Sequence, residues 1–371
     1  MKLLDEFFFN IHDTNSIVTG GIVKEGKDYC PVGCKFCICK GDKTDIGYKI
    51  PFITEEQFEQ GLKFVTWGGK NEIMLGDGIS RLSAEAFAHP KIYKFLDRLC
   101  HLFPEHTIGI ITTGVFIKES KIDFLNSLPN LRLSISVNTL DPILRSQIMP
   151  YPQTRKIKIL LKELHRTGIG LFDMGDTNIL KRDIEELAKL RSFGEGIQLR
   201  RLEHTKYHDK KAIEMSMKSV MNFENSLKYI IKEWPQMTHW SPHVEYSMHD
   251  FKAREIVMKY VRDVAKYCMD RRSSNILLCI AESSYWAWKG WLQTTPNAHP
   301  ILVKNNTYGG SVTNAGLMMF NDIRLALKGA DLNRVGEILV PQIMLNKAYQ
   351  DLNQEFLIDF EREIGIPTTV I

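Results

Sequence analysis

The sequence predicts an α/β protein: a partial (β/α)6 TIM-type barrel followed by a C-terminal α/β domain. Three observations carry that expectation. Between residues 16 and 202, apolar strand patterns alternate with helical ones, which implies a parallel sheet with crossover helices. About six βα units fit in that span, fewer than the eight of a complete barrel. After Tyr207 the pattern breaks, and a second α/β alternation begins beyond a loop-like stretch. A doubly wound open sheet is the competing architecture for the first part.

The elements follow in order. Ser16 to Val23 reads as a strand that leads into a cysteine-rich loop. Glu72 to Leu75 is a short strand entering Gly76-Asp77-Gly78. Ile92, Phe95, Leu96, Leu99 and Leu102 recur at helical spacing within Pro90 to Phe103. Thr107 to Thr112 is a strand, and Glu119 to Leu128 a helix closed by Pro129. Leu131 to Val137 alternates as a half-buried strand does. A helix over Arg155 to Arg166 ends near Gly168. Ile169 to Met174, Lys181 to Leu190 and Ile197 to Leu202 complete the series as strand, helix and strand. Lys210 to Lys232 is a charged helix, and Trp234 to His249 is loop-like. Beyond it come a helix over Lys252 to Met269, strands at Ile276 to Ile280, Ile301 to Lys304 and Ile338 to Pro341, and a helix over Leu317 to Leu327. The boundary falls near residue 240, giving domains of 1–239 and 240–371.

Composition narrows the function classes. The chain has 48 basic and 44 acidic residues, a formal net charge of +4. That surplus is too small to argue for nucleic acid or an anionic membrane surface. No apolar stretch reaches the ~20 residues of a spanning helix, and no signal peptide is visible, so the protein reads as cytoplasmic. Of seven cysteines, Cys30, Cys34, Cys37 and Cys39 crowd into ten residues. Clustered cysteines without a disulfide framework favour a metal site.

The segment Cys30-Pro-Val-Gly-Cys34-Lys-Phe-Cys37 is the most informative in the chain. Three thiolates at this spacing wrap a compact cluster from one loop, and Gly33 permits a tight turn. Electron-carrying [4Fe–4S] proteins use four cysteines, so three ligands leave one iron open. The segment is similar to the C-x3-C-x2-C signature of the radical S-adenosylmethionine (SAM) superfamily, including an aromatic residue, Phe36, before the third cysteine. The resemblance implies a [4Fe–4S] cluster on Cys30, Cys34 and Cys37, and SAM chelated to the open iron. It implies reductive cleavage of SAM to a 5′-deoxyadenosyl radical, which abstracts hydrogen from a substrate. A structural zinc site with Cys39 as fourth ligand is the bland alternative, but no second knuckle-spaced pair appears.

The same resemblance directs attention to the strand ends. Gly76 and Asp77 stand where the family carries a Gly-Gly-Glu-like turn that meets the SAM amino group; here the order differs and the acid is shorter. An ordinary β–α turn explains those residues equally well. Ser136 and Asn138 lie on one face by the period of two, at a strand end that meets the SAM ribose and carboxylate in the family. Arg145 follows, with a fork suited to a carboxylate, or as a surface residue. Asp173 and Asp176 are candidates for SAM or substrate hydroxyls, with helix capping as the alternative for Asp176. One of Arg200 and Arg201 should face inward. His243, Glu245 and His249 form a metal-like set, but without a fourth ligand or helical spacing they read as a polar linker.

The stretch Gly309-Gly310-Ser311-Val312-Thr313-Asn314-Ala315-Gly316-Leu317 resembles part of an uncharacterised group of radical SAM proteins with a C-terminal α/β domain. It reads as a tight strand-to-helix connection or a phosphate cradle. Trp286, Trp288 and Trp291 form either a stacking platform or core. The expected partners are a small-molecule substrate over which the C-terminal domain closes, and an electron donor such as flavodoxin or ferredoxin. No nucleic acid or membrane partner is expected. A non-catalytic Fe–S electron carrier or redox sensor is the alternative function, and a zinc-stabilised binding module a third.

Overall fold

The structure, a computed structural model, describes residues 15–21, 23–24, 27–28, 30–37, 51–63, 65, 72–76, 84–190, 197–234, 239–240, 251–271, 275–288, 290–291, 295–313, 315–345 and 348–371. The chain divides into two compact units, Met1–Trp240 and Ser241–Ile371.

The first unit is built on a parallel sheet of seven described strands. They are β1 (Asn15–Ile17), β4 (Glu72–Leu75), β5 (Thr107–Thr112), β6 (Leu131–Asn138), β7 (Thr167–Asp173), β8 (Ile197–Arg201) and β9 (His239–Trp240). A small antiparallel hairpin, β2 (Val23–Lys24) and β3 (Lys27–Asp28), stands apart from the sheet. The sheet order is β1-β4-β5-β6-β7-β8-β9, so each strand pairs with the next without a reversal. Right-handed crossovers that always step the same way leave their helices on one face. This single winding is that of a partial barrel, and it decides against a doubly wound sheet.

The helices of this unit are α1 (Glu55–Leu62), α2 (Ile92–Leu102), α3 (Ile122–Ser127), α4 (Pro142–Ile148), α5 (Thr154–Glu163), α6 (Thr177–Leu190) and α7 (Lys210–Glu233). Thr54 and Gln57 form a reciprocal cap that starts α1, and Asp141 caps α4 ahead of Pro142. The register Ile135↔Ile169↔Ile197 puts Leu133, Ile135, Ile169, Leu171, Ile197 and Leu199 on the helix-facing side, where all are buried. Each such side chain contributes about 1.5–3 kcal/mol on burial. The opposite, inner face carries Ser134, Ser136, Gly168, Gly170, Phe172, Gln198 and Arg200.

Several sequence expectations shift. The strand expected over residues 16–23 covers only Asn15–Ile17, and Val23 belongs to the hairpin. The loop-like stretch after Trp234 yields β9, a seventh strand too short to carry a periodic signal. Helix α4 was not anticipated, because only one turn and a half separates Pro142 from Ile148.

The second unit holds α8 (Phe251–Asp270), β10 (Ile276–Ala281), α9 (Tyr285–Trp288), β11 (Ala298–Val303), α10 (Phe320–Leu327), β12 (Glu337–Val340), α11 (Leu357–Ile364) and β13 (Thr368–Val370). Its four-stranded parallel sheet runs β11-β10-β12-β13. Here the order reverses after β11, which is the doubly wound arrangement. Central β10 is buried along its whole length, whereas edge strand β11 tolerates Pro300. The last helix and strand were missed in the sequence reading; α11 is eight residues long and β13 three. Trp288 is 2% exposed within the core around Val264, Cys268 and Ile280, with Trp291 packed edge-on at 5.5 Å. The stacking-platform reading is therefore corrected for Trp288, which is core. In the glycine-rich connection, buried Asp322 accepts from the Asn306 and Thr307 N–H groups and the Thr307 hydroxyl, which pins the loop from within.

Candidate functional site

The cysteine loop follows the hairpin and is fastened to the barrel. Gly33 adopts φ +61°, a turn closed by its N–H donating to the Cys30 carbonyl at 3.2 Å. The Cys37 N–H donates to the Cys34 carbonyl at 3.2 Å, and the Lys35 N–H to the Ile148 carbonyl at the end of α4 at 2.9 Å. Val32 is buried with Ile148, Met149, Met174 and Leu202, and Cys34 and Phe36 pack against that cluster. The Phe36 ring meets Phe172 edge-on at 4.8 Å. Met174 and Leu202 directly follow β7 and β8, so the loop sits at the C-terminal ends of the strands, where barrel chemistry is placed.

Cys30, Cys34 and Cys37 are in no disulfide. Cys30 is exposed, yet protein crowds its thiol enough to raise the pKa, and the Cys37 sulfur raises it further. Burial pushes the Cys34 thiol well up, and the sulfurs of Cys37 and Cys30 add to the push. Neighbouring thiolates oppose one another's ionisation, which nearby positive charge offsets. Among the described residues, no group of three or more His, Cys, Asp or Glu is placed to hold a single metal ion. A cluster takes one thiolate on each of three irons, so its ligands stand further apart than those of one ion. Three cysteine thiols on one loop are the donor chemistry that an iron–sulfur cluster takes. Cys39, the fourth ligand of the zinc alternative, lies outside the described residues.

Around the loop the structure gathers some predicted residues and disperses others. Gly76, at φ +76°, ends β4; an added Cβ would lie 2.8 Å from the Ala86 Cβ and 3.1 Å from the Thr19 hydroxyl. Only glycine fits that turn. Asp77 and Gly78 lie outside the described residues, as do His243, Glu245 and His249. Ser136 stands on the inner face. Asn138 does not share its face by simple alternation: a bulge shifts the register so that Asn138 pairs with Leu171, and its φ is +65°. The Asn138 amide nitrogen donates to the Met149 sulfur at 3.1 Å, while its carbonyl oxygen is buried with no partner among the described residues.

Arg145 is fully buried rather than a surface residue. Its Nε and Nη1 donate to the carbonyls of Pro152 and Val137, and its Nη2 has no partner among the described residues. Burial lowers its pKa to about 10, against the opposing charges of Cys34 and Asp183. It braces the end of β6 and holds a positive charge beside Cys34. Asp173 is buried on the helix-facing side. It accepts from the Gly175 N–H at 2.7 Å and from the Asn222 amide of α7 at 3.2 Å. Asp176 caps the turn into α6 through the Asn178 N–H at 2.8 Å. Arg201 lies on the buried side with Glu203 at 3.4 Å, and Arg200 is the arginine on the inner face.

Sequence reasoning missed Glu85. Its buried carboxylate accepts from the Thr112 hydroxyl, and from the Thr113 N–H and hydroxyl at 2.7 Å each. Its charge helps to raise the Cys30 and Cys34 thiols. No motif in the sequence marks it, because its partners lie 27 and 28 residues away.

The first unit is thus a singly wound parallel sheet, a partial barrel, with a three-thiol loop at its C-terminal mouth. Residues 27–191, somewhat less than half of the chain, match the model of the Radical SAM superfamily. The cofactors of that superfamily are a [4Fe–4S] cluster and SAM. No curated protein matches the chain. Among solved structures, it is similar to SuiB of Streptococcus suis bound to the precursor peptide SuiA, at 13% identity and a TM-score of 0.45, over 65% of this chain and 51% of that one. SuiB bound to S-adenosylmethionine shows 15% identity and a TM-score of 0.40, over 65% and 49%. A further SuiB structure shows 14% and 0.44, over 66% and 54%. The matched part spans about half the length of those proteins. Among the described residues, no helix is long and apolar enough to cross a membrane.

Proposed function

We propose that the chain binds a [4Fe–4S] cluster through Cys30, Cys34 and Cys37, cleaves SAM reductively, and abstracts hydrogen from a small-molecule substrate in the cytoplasm. The observation that carries the reading is the loop of three cysteines outside any disulfide at the C-terminal mouth of a singly wound sheet. Held there by Cys30, Cys34 and Cys37, the cluster with SAM would supply radical chemistry for hydrogen abstraction from carbon.

The chain's own residues set up that chemistry. The loop's two internal hydrogen bonds shape it, and the Lys35 N–H bond to the Ile148 carbonyl ties it to the end of α4. Arg145 places positive charge beside Cys34 and favours its thiolate. Val32, Met149, Met174 and Leu202 form an apolar bed under the loop that limits water around Cys34. The unpartnered oxygen of Asn138 and the strand-end turn at Gly76 are assigned to the polar groups of SAM, with Asp77 and Ser136 as further contacts. Residues 1–239 are assigned the cluster and SAM chemistry, and residues 240–371 a separate α/β domain. A flavodoxin or ferredoxin is the proposed electron donor.

The test is direct. Anaerobically reconstituted, reduced protein should release 5′-deoxyadenosine and methionine from SAM. Cluster-loaded protein that yields neither, even with a strong chemical reductant, would return the function to a non-catalytic electron carrier.

A further inference from the structure

The inner face near the cysteine loop has an unusual composition. By register, Ser134 pairs with Gly168, Ser136 with Gly170, Gly170 with Gln198 and Phe172 with Arg200. Glycine inside a strand weakens it and often marks close approach by another group. Neither Gly168 nor Gly170 has positive φ. A Cβ would meet nothing nearer than 3.8 Å at Gly168 and 3.6 Å at Gly170. Neither backbone conformation nor crowding therefore demands glycine there. Together with the two serines, the glycines keep the centre of this face free of bulky side chains.

Arg200 borders that cleared area. Its Nε donates to Gln198 Oε1 at 2.7 Å, and its Nη2 donates to the same oxygen. No carboxylate pairs with it among the described residues, in contrast to Arg201 with Glu203. Burial alone lowers its pKa to about 10, with no neighbouring charge to oppose the shift, although the residue keeps some solvent exposure. A desolvated cation held only by a neutral amide is costly, and a bound anion offsets that cost. Its strand neighbour Phe172 touches Phe36 of the cysteine loop, which sets this cation beside the proposed reaction centre.

We infer that Arg200 holds an oxyanion of the substrate, a carboxylate or a phosphate, with Gln198 orienting the guanidinium and the Gly168–Gly170 strand leaving room for the bound molecule. Arginine suits such a group because its planar fork donates two parallel hydrogen bonds. The inference deepens the proposed function by naming a substrate class, and it rests on that reading for a substrate's presence beside the cysteine loop. The carboxylate of SAM is the other source of the same chemistry, so the test separates the two.

The probe is phenylglyoxal labelling of the cluster-loaded full chain under anaerobic conditions, with the Arg200 adduct read by peptide mass spectrometry. Inorganic phosphate and succinate serve as oxyanions. At about four times its Kd, a bound oxyanion should slow labelling about fivefold by mass action, with or without saturating SAM. Gln198→Glu should abolish that protection, because its carboxylate would already occupy the fork. An Arg200 that never labels, or labels at the same rate with either oxyanion, overturns the site. Complete protection by SAM alone, to which the oxyanions add nothing, assigns the group to SAM and overturns the substrate assignment. Undiminished protection in Gln198→Glu places the anion elsewhere and also overturns it. If that variant fails to fold, the arms on the unaltered protein decide the matter. Failure of the radical SAM reading would show separately, as absent 5′-deoxyadenosine with Arg200 protection intact.

Discussion

Replacing Glu85 by alanine removes the acceptor from three donors at the end of β5. These are the Thr112 hydroxyl, the Thr113 hydroxyl and the Thr113 N–H, the last two at 2.7 Å. The hydroxyls rotate to other acceptors, but the N–H is fixed by the backbone. A hydrogen bond to a charged group is worth about 1.5–3 kcal/mol, and an abandoned buried donor costs a similar amount, so the expected loss is about 2–4 kcal/mol. A unit the size of Met1–Trp240 shifts by about 2–4 °C per kcal/mol, so its melting transition should fall by roughly 4–16 °C in calorimetry. Glu85→Gln keeps one acceptor oxygen and should lose less. A second readout separates charge from packing. The Glu85 charge raises the Cys30 and Cys34 thiols, so both variants should move those pKa values down. The rate of iodoacetamide alkylation against pH, on cluster-free protein, measures that shift. A melting transition within about 2 °C of the parent in Glu85→Ala, or an alkylation profile displaced upward, would refute the reasoning.

Three further outcomes are expected. Alanine at Cys30, Cys34 or Cys37 should abolish a cluster of about four iron atoms per chain, whereas Cys39→Ala should retain it; iron analysis after anaerobic reconstitution reads the difference. Burial raises the Asp183 carboxyl from 3.8 to about 6, despite the Leu140 N–H at 2.9 Å and the Thr139 hydroxyl. The folded state thus holds that proton more tightly than the unfolded chain. The resulting stability is present below about pH 4, falls as pH rises to about 6, and leaves a deficit of about 3 kcal/mol above that. Asp183→Asn should flatten this slope in urea titrations compared at acid and neutral pH, and an unchanged slope counts against the assignment. Asp173→Ala should cost about 1–3 kcal/mol by leaving the Gly175 N–H and Asn222 without their acceptor, seen as a lower urea midpoint.

By itself the sequence determined which segments are strands and helices in the long periodic stretches, because burial on one face imposes a period of 2 or 3.6. It determined the thiol loop too, because three cysteines and a glycine within eight residues define a local geometry. Short elements such as β9 and α4 escaped it, since they span too few residues for a period to register. Only the tertiary structure decided the winding. Alternation of strand and helix is the same whether crossovers step one way, as in the first unit, or reverse, as they do after β11. It also decided which arginine faces inward, because strand parity needs a fixed reference and register with β7 provides it. Alternation itself failed at Asn138, where a bulge shifts the pairing by one residue. Glu85 and Asn222 became visible only through partners 27 and 49 residues distant. Hydrogen bonds across such separations leave no periodic trace in the chain and exist only once the sheet has brought their donors and acceptors together.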